Sequence, residues 1–181
     1  MTLFEYIAAA VSIVLSLSAA QLLAATRHVL EPSRRYWVHA TWVADILFVH
    51  LLAWWSLWSA RNVATWTFAS FALIMAVPAS LYVASSTLVT ASPQDVRSWE
   101  DYFMKVRRSF YAAYGVTVLA GAARRWLLLD GPLVRPDDAF AYGYLLVGAV
   151  SRDRRVQAAV VLCELAAISS LIWARYLPGV T

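Results

Sequence analysis

The stretch that decides the fold runs from Leu3 to Leu30 and reads LFEYIAAAVSIVLSLSAAQLLAATRHVL. It contains no Lys or Arg before Arg27, so it lacks the basic start of a secretory signal peptide, and it is too long to be one. An apolar run of this length predicts a membrane-spanning helix that stays in the protein.

The rest of the chain shares this apolar character. Of its 181 residues, 61% are hydrophobic and only 14% are charged, and nine are Trp. Soluble domains carry roughly 25% charged residues, and a single core would leave much of this apolar surface exposed. The composition therefore predicts an all-α integral membrane protein with one transmembrane domain over residues 1–181. The lone Cys163 excludes an intramolecular disulfide and a cysteine-rich metal site.

Apolar runs separated by short polar segments predict a bundle of five or six transmembrane helices. The fifth run is short, about 22 Å if fully helical, so it either spans or is re-entrant. Between the third and fourth runs, Ser92 and Pro93 resemble a helix cap and first position, followed by apolar residues at helical spacing. This predicts an amphipathic cytoplasmic helical segment over 93–108, lying among the headgroups or projecting as a stalk. The expected spans are 3–30, 36–60, 63–90, 109–129, 136–150 and 156–177.

Positive charges fall unequally on the two sides of a six-span arrangement. Ten of the 15 Lys and Arg lie in the loops of one side and five on the other. By the positive-inside rule, both termini are expected outside. The ten are Arg27, Arg34, Arg35, Arg97, Lys105, Arg107, Arg108, Arg152, Arg154 and Arg155, and the five are Arg61, Arg124, Arg125, Arg135 and Arg175.

Small residues recur every four positions on two of the predicted helices. Such ridges let helix backbones approach closely. They either pack the helices of one subunit or form a self-association surface, and a homo-oligomer is expected on this basis. The ridges consist of Ser12, Ser16, Ala20 and Ala24 on the first helix and of Ala113, Thr117 and Gly121 on the fourth.

Asp45 and Glu164 lie inside predicted spans, where acids are costly and often functional. Each lies eight or nine residues from the cytoplasmic start of its helix, roughly 12–14 Å, and no Lys or Arg occurs at that depth. If the two meet, they could share a proton and form an ion or proton site. Otherwise each carboxyl group is neutral or hydrogen-bonded and fixes helix packing.

Glu5 lies near the outer end of the first helix, and Arg124 and Arg125 lie near the outer end of the fourth. These charges predict either an ion pair at the outer mouth of a pathway or separate side chains, with the arginines reaching the headgroups.

His39 and His50 are eleven residues apart, which places both on nearly one face of the second helix with Asp45 pointing away. Two stacked imidazoles are compatible with haem ligation, but further ligands would have to come from elsewhere. Packing histidines are the alternative. The Trp-rich stretch 54–66 is typical of an interfacial belt, or of a surface for a pigment, quinone or lipid.

Several functional classes lack their residues. The chain has no phosphate-binding Gly-rich loop, zinc-binding His-Glu-x-x-His motif or Gly-x-Ser-x-Gly nucleophile elbow. No enzyme activity and no cofactor are expected. The basic residues form short clusters between apolar runs, which favours membrane lipid over nucleic acid as the partner.

The opening Phe4-Glu5-Tyr6, the Trp-rich second helix and the Tyr102-Phe103 pair before Arg107-Arg108-Ser109-Phe110 resemble small multipass proteins of bacterial inner membranes that carry no assigned function. The resemblance covers most of the chain and implies a bacterial inner-membrane location, but it transfers no active-site residue. The Trp-Asn-Pro-Pro signature of the Trp-rich five-helix sensory and translocator proteins is absent.

Three functions follow as hypotheses. The leading one is a non-enzymatic ion or proton pathway that uses Asp45 and Glu164, with Glu5, Arg124 and Arg125 at its outer mouth. The second is a structural or accessory subunit of a larger membrane complex. The third is a haem- or quinone-binding redox protein that uses His39 and His50.

Overall fold

The computed structural model describes residues 2–63 and 65–175, and within them all regular secondary structure is helical. Two short 3₁₀ turns, Trp58–Asn62 and Pro93–Asp95, lie between the α-helices. The six α-helices are α1 (Leu3–Val29), α2 (Trp37–Leu57), α3 (Phe68–Leu88), α4 (Trp99–Leu128), α5 (Pro136–Val150) and α6 (Arg154–Arg175).

Four of the helices, α1, α2, α3 and α6, are long and apolar enough to cross a membrane. The predicted class, a helical membrane protein, is confirmed to this extent. Large apolar side chains such as Leu51, Phe68 and Trp173 stand exposed on the outside of the bundle, at 66%, 83% and 73%. Such a surface is stable in lipid, where apolar side chains need no cover.

The more polar α4 lies against α3 along much of its length. The Tyr102 hydroxyl near the start of α4 donates to the Thr87 carbonyl near the end of α3. Near the middle of α4, the Thr117 hydroxyl lies 3.0 Å from the Ser80 hydroxyl of α3. The two helices are therefore antiparallel neighbours. Buried polar positions of α4 recur at a spacing of three or four, so they form one stripe along the helix that faces its neighbours.

Two helices begin later than the sequence predicts. The third run was expected to start at Val63, but α3 starts at Phe68, where Thr67 and Ser70 form a reciprocal N-terminal cap. The fourth helix was expected from Pro93, but Pro93–Asp95 is only a 3₁₀ turn, and α4 starts at Trp99 with Ser98 as its cap.

The contacts of Arg34 explain the late start of α4. Its guanidinium donates to the carbonyls of Gln94 and Val96, both at 2.8 Å, and its own carbonyl accepts from the Trp99 amide at 3.2 Å. These bonds hold residues 94–98 against the loop that follows α1. The local capping pattern at Ser92 cannot show this, because the deciding partner is some 60 positions away.

The predicted amphipathic segment, 93–108, overlaps the 3₁₀ turn and the beginning of α4. Residues 99–108 are the first turns of α4 and continue without a break into the rest of that helix. Two residues of their apolar stripe, Trp99 and Phe103, are completely buried, and Val106 is half-buried. Trp99 stacks on His39 with ring centroids 4.8 Å apart, and its indole N–H donates to the His28 carbonyl at 2.7 Å. The segment is part of the bundle rather than a stalk or a surface helix.

The bundle has two chemically different ends. The basic end, where α1, α3 and α5 finish, carries Arg34, Arg107 and Arg154, the last paired with Glu100 of α4. The opposite end, here called the vestibule end, carries Arg124 and Arg125 of α4 together with Asp137 and Asp138 at the start of α5.

Candidate functional site

The midpoint of the bundle holds a carboxyl group fixed by two tyrosines. Glu164 of α6 is 2% exposed. Its Oε1 accepts from the Tyr114 hydroxyl of α4 at 2.6 Å, and its Oε2 accepts from the Tyr144 hydroxyl of α5. Three helices thus meet through one carboxyl group, and each of its oxygens has a defined partner.

The second buried acid, Asp45, lies within electrostatic range of Glu164. Asp45 of α2 is 4% exposed and close enough to Glu164, Tyr114 and Tyr144 for electrostatic interaction with all three. Its Oδ2 is buried and has no hydrogen-bond partner within residues 2–63 and 65–175. The two acids that the sequence places at matching depth are thus both buried, within electrostatic range of each other.

A cavity of about 250 Å³ opens above this carboxyl pair toward the vestibule end. Glu164, Tyr114 and Tyr144 form its floor, and Ser56 and Arg124 lie near its mouth. From Glu164 to Leu171, the last lining residue of α6, the cavity extends roughly 10 Å at helical rise. Its walls are mostly apolar and come from Val49, Leu52, Val77, Leu81, Ala141, Ala167, Ile168 and Leu171.

A wider vestibule of about 500 Å³ continues from this cavity and shares Ser56, Gly121, Arg124 and Leu171 with it. Arg125 and Arg135 add to its rim. The inner cavity, which Glu164 lines, and the vestibule therefore adjoin at these shared residues.

Ion pairs at this mouth differ from the expected ones. Arg125 pairs with Asp138, whose carboxylate also caps α5 by accepting from the Arg135 amide at 2.9 Å. Arg124 donates to the Ser56 hydroxyl at 2.9 Å. Glu5 instead closes the N-terminal cap of α1, where it accepts from the Thr2 amide at 2.8 Å. Glu5 thus caps its own helix, and Arg125 pairs with Asp138 of α5 rather than with Glu5.

The opposite side of the carboxyl pair is closed by aromatic rings. Trp42 packs edge-on against Phe110 and Tyr111, with centroids 5.0 and 5.6 Å apart, and Phe110 and Tyr114 lie parallel. Trp42, Phe103 and Phe110 are completely buried. This aromatic seal, comprising Trp42, Phe103, Phe110 and Tyr111, separates Glu164 from the basic end.

Hydrogen bonds fasten the seal. The Tyr111 hydroxyl donates to Gln157 Oε1 at 2.7 Å, and Gln157 Nε2 donates to the carbonyls of Gly148 and Ser151 at 2.8 and 2.9 Å. Arg107 Nε also donates to the Ser151 carbonyl, at 2.9 Å. The last turn of α5 is thereby held to α4 and α6.

His39 and His50 occupy separate packing environments. His50 Nδ1 lies 2.6 Å from the Ile46 carbonyl and its Nε2 lies 2.7 Å from the Ser18 hydroxyl, so both ring nitrogens are engaged. His39 Nε2 donates to the Leu88 carbonyl at 2.8 Å while its ring stacks on Trp99. These contacts are those of packing histidines, although His39 Nδ1 has no hydrogen-bond partner among the described residues.

The two small-residue ridges have different positions. On α4, Thr117 is buried and bonded to Ser80, so this ridge packs within the bundle. On α1, Ser16, Ala20 and Ala24 are exposed, because the buried face of that helix is the one that includes Leu15 and Leu22. Three residues of the α1 ridge therefore lie on the outer surface, while Ser12 is half-buried and accepts from the Trp54 indole N–H at 3.1 Å.

Sequence reasoning missed Tyr114, Tyr144 and Gln157. A signal for the first was present, since Arg107, Tyr111, Tyr114, Thr117 and Arg124 recur at helical spacing along one stripe of a predicted spanning helix. Tyr144 and Gln157 belong to no such polar stripe in the sequence, so nothing local indicates the helices that supply their hydrogen-bond partners.

Comparisons with protein-family models, curated proteins and solved structures found no match to the chain.

Proposed function

We propose that this protein is a non-enzymatic, multipass inner-membrane protein that provides a proton pathway, with Glu164 and Asp45 as its intramembrane sites. The observation that carries the proposal is the void from the vestibule end to a carboxyl group that two tyrosines hold in place. A buried acid with a defined route for water and no adjacent cation is the usual construction of a proton site in membranes.

The aromatic seal makes this a half-channel rather than an open pore. Protons reach Glu164 from the vestibule end, and passage to the basic end requires the seal to move. Tyr111 and Gln157 are the polar groups nearest to that closed side. Transport is therefore expected to be slow, selective for protons and coupled to a conformational step.

All six helices cross the membrane in this proposal. Helix α4 is polar because its stripe from Arg107 to Arg124 faces the site, and not because it lies outside lipid. Helix α5 is roughly 22 Å long, and each of its ends is bonded to α4. Asp138 at its start pairs with Arg125, and the Ser151 carbonyl just after its end accepts from Arg107. By the positive-inside rule the basic end is cytoplasmic and both termini are outside.

Proton flux into proteoliposomes tests the proposal. The wild-type protein should acidify vesicles under an imposed pH gradient and potential, and Glu164→Gln and Asp45→Asn should each remove the flux. Asp95→Asn, which neutralises an exposed carboxyl group at the 3₁₀ turn, is the matched control and should behave as wild type. Flux that survives both buried substitutions would refute a pathway through these acids.

The exposed α1 ridge favours a protein contact, because small residues allow close helix approach in lipid. We place a homo-oligomer interface there, with a subunit of a larger complex as the alternative partner. A Ser16→Cys variant in a Cys163→Ala background should form a disulfide-linked dimer in membranes, whereas the same substitution at Leu15, which is buried, should not.

A further inference from the structure

We infer that the cavity above Glu164 binds a small hydrophobic monoamine, in its ammonium form, in exchange for the proton on the carboxyl pair. The inference rests on the proposed function, because it requires Glu164 to be reachable and to hold a proton when the cavity is empty. It identifies the class of solute that shares the site with that proton.

The void is larger than a proton route needs. A file of single water molecules would serve protons, whereas the space above Glu164 measures about 250 Å³ and widens into a vestibule of about 500 Å³. Sites for drug-sized ligands occupy roughly 300–1,000 Å³, so the inner cavity suits a ligand somewhat smaller than these.

The lining of the cavity fits an amphipathic cation. Glu164, Tyr114 and Tyr144 place oxygen atoms at the floor, where an ammonium group can donate hydrogen bonds. Above them the walls are aliphatic, formed by side chains such as Leu52, Leu81 and Ile168. A ligand with a charged head and an apolar body matches this division, with its head toward the floor.

The charges around the floor set the sign of the ligand. Glu164 on α6 is the carboxyl group at the floor, where α4 and α5 contribute Tyr114 and Tyr144. Asp45 on α2 lies within electrostatic range of Glu164, and Ser80 on α3 is bonded to Thr117, which lines the cavity. Among the described lining residues Arg124 is the only cation, ten positions from Tyr114 along α4 and hence roughly 15 Å away. A carboxylate ligand would face repulsion at the floor, whereas an ammonium group would be attracted.

The mouth does not repel a cation as strongly as its arginines suggest. Arg125 is paired with Asp138, and Asp137 also lines the cavity. An ammonium ion that enters therefore passes charges of both signs. At the floor it pairs with the Glu164 carboxylate, and the displaced proton leaves to water, so charge is conserved in the exchange.

The test uses benzylamine and the purified full-length protein in detergent. Isothermal titration is run in two buffers of different ionisation enthalpy, which reports protons released per ligand bound. We expect saturable binding with release of up to one proton, and at least tenfold weaker binding of benzyl alcohol, which has the same ring without the charge. Glu164→Gln should weaken benzylamine binding at least tenfold, while Asp95→Asn should leave it unchanged.

A second variant covers the case in which Glu164→Gln fails to fold. Ala167→Phe fills the cavity wall and keeps both acids, so it should also abolish benzylamine binding. Binding that survives both variants, or equal binding of benzyl alcohol, would overturn the inference. Proton flux without benzylamine binding would overturn the amine site and leave the proton pathway intact. Benzylamine binding without proton flux would overturn the proton pathway and leave the amine site intact.

Discussion

Substituting Gly148 by Ala provides a severe test of the packing that closes the basic side of the site. A Cβ at this position would lie 2.6 Å from Cζ, 2.7 Å from Cε2 and 3.0 Å from the hydroxyl oxygen of Tyr111. Carbon atoms pack at about 3.5–4.0 Å, so the tyrosine ring would have to retreat by roughly 1 Å. It cannot do so freely, because Trp42 and Phe110 lie 5.6 and 5.1 Å from it, centroid to centroid.

The cost of Gly148→Ala has two sources. Overpacking of this kind costs about 1–3 kcal/mol. Moving the ring also breaks the hydrogen bond from Tyr111 to Gln157, and a buried acceptor left without a partner costs about 1–3 kcal/mol more. The free energy of unfolding should therefore fall by about 2–6 kcal/mol.

Gly143 on the same helix is the matched control. No atom lies within 4 Å of a Cβ built there, so Gly143→Ala should raise stability by about 0.5–1 kcal/mol through its helix propensity. Both variants are compared by reversible unfolding in mixed detergent–SDS micelles, with Tyr111→Ala added to Gly148→Ala to test for relief. Equal stability of the two alanine variants, or no relief by Tyr111→Ala, would refute the packing argument.

Three further predictions concern the hydroxyl of Tyr144, the ion pair of Asp138 and the binding of haem. Tyr144→Phe removes a hydrogen bond to the carboxyl group of Glu164, so it should lower the free energy of unfolding by about 1.5–3 kcal/mol and slow proton flux; unchanged values for both would contradict the role assigned to the hydroxyl. Asp138→Asn breaks a shielded ion pair and a helix cap, so it should lower the free energy of unfolding by about 2–4 kcal/mol. Glu100→Gln removes a more exposed ion pair and should change that free energy by no more than about 1 kcal/mol. Unfolding titrations of the two variants measure this difference, and equal losses would contradict it. Haemin added to the purified protein should give no low-spin Soret band, since both ring nitrogens of His50 are hydrogen-bonded and His39 is completely buried against Trp99. Such a band would show that one of these histidines leaves its contacts to bind iron.

The sequence is sufficient to predict the helical membrane class and to single out the two acids that the structure buries. Length and apolar periodicity are local properties, so α1, α2, α3 and α6 were recognisable as spans. An acid inside such a span is conspicuous for the same reason, which is why Asp45 and Glu164 could be singled out before any fold was known.

The errors arose where long-range contacts override local signals. Ser92 and Pro93 form a good capping pattern, but Arg34 holds the following residues outside a helix. The apolar stripe of residues 99–108 resembled a surface helix, and its burial against His39 depends on how α2 and α4 meet. Charge and depth alone allow a pairing of Glu5 with Arg124 or Arg125, yet the partner of Arg125 is Asp138 across a loop.

Side-specific cysteine labelling tests most directly whether water reaches Glu164 from one end only. In a Cys163→Ala background, Ala167→Cys lies three residues from Glu164 on the cavity side, and Val161→Cys lies three residues away on the sealed side, where Val161 is 0% exposed. A charged, membrane-impermeant thiosulfonate reagent should modify Ala167→Cys from the vestibule end alone and leave Val161→Cys untouched from both. Equal modification of the two cysteines, or none of Ala167→Cys from either side, would contradict a half-channel that ends at Glu164.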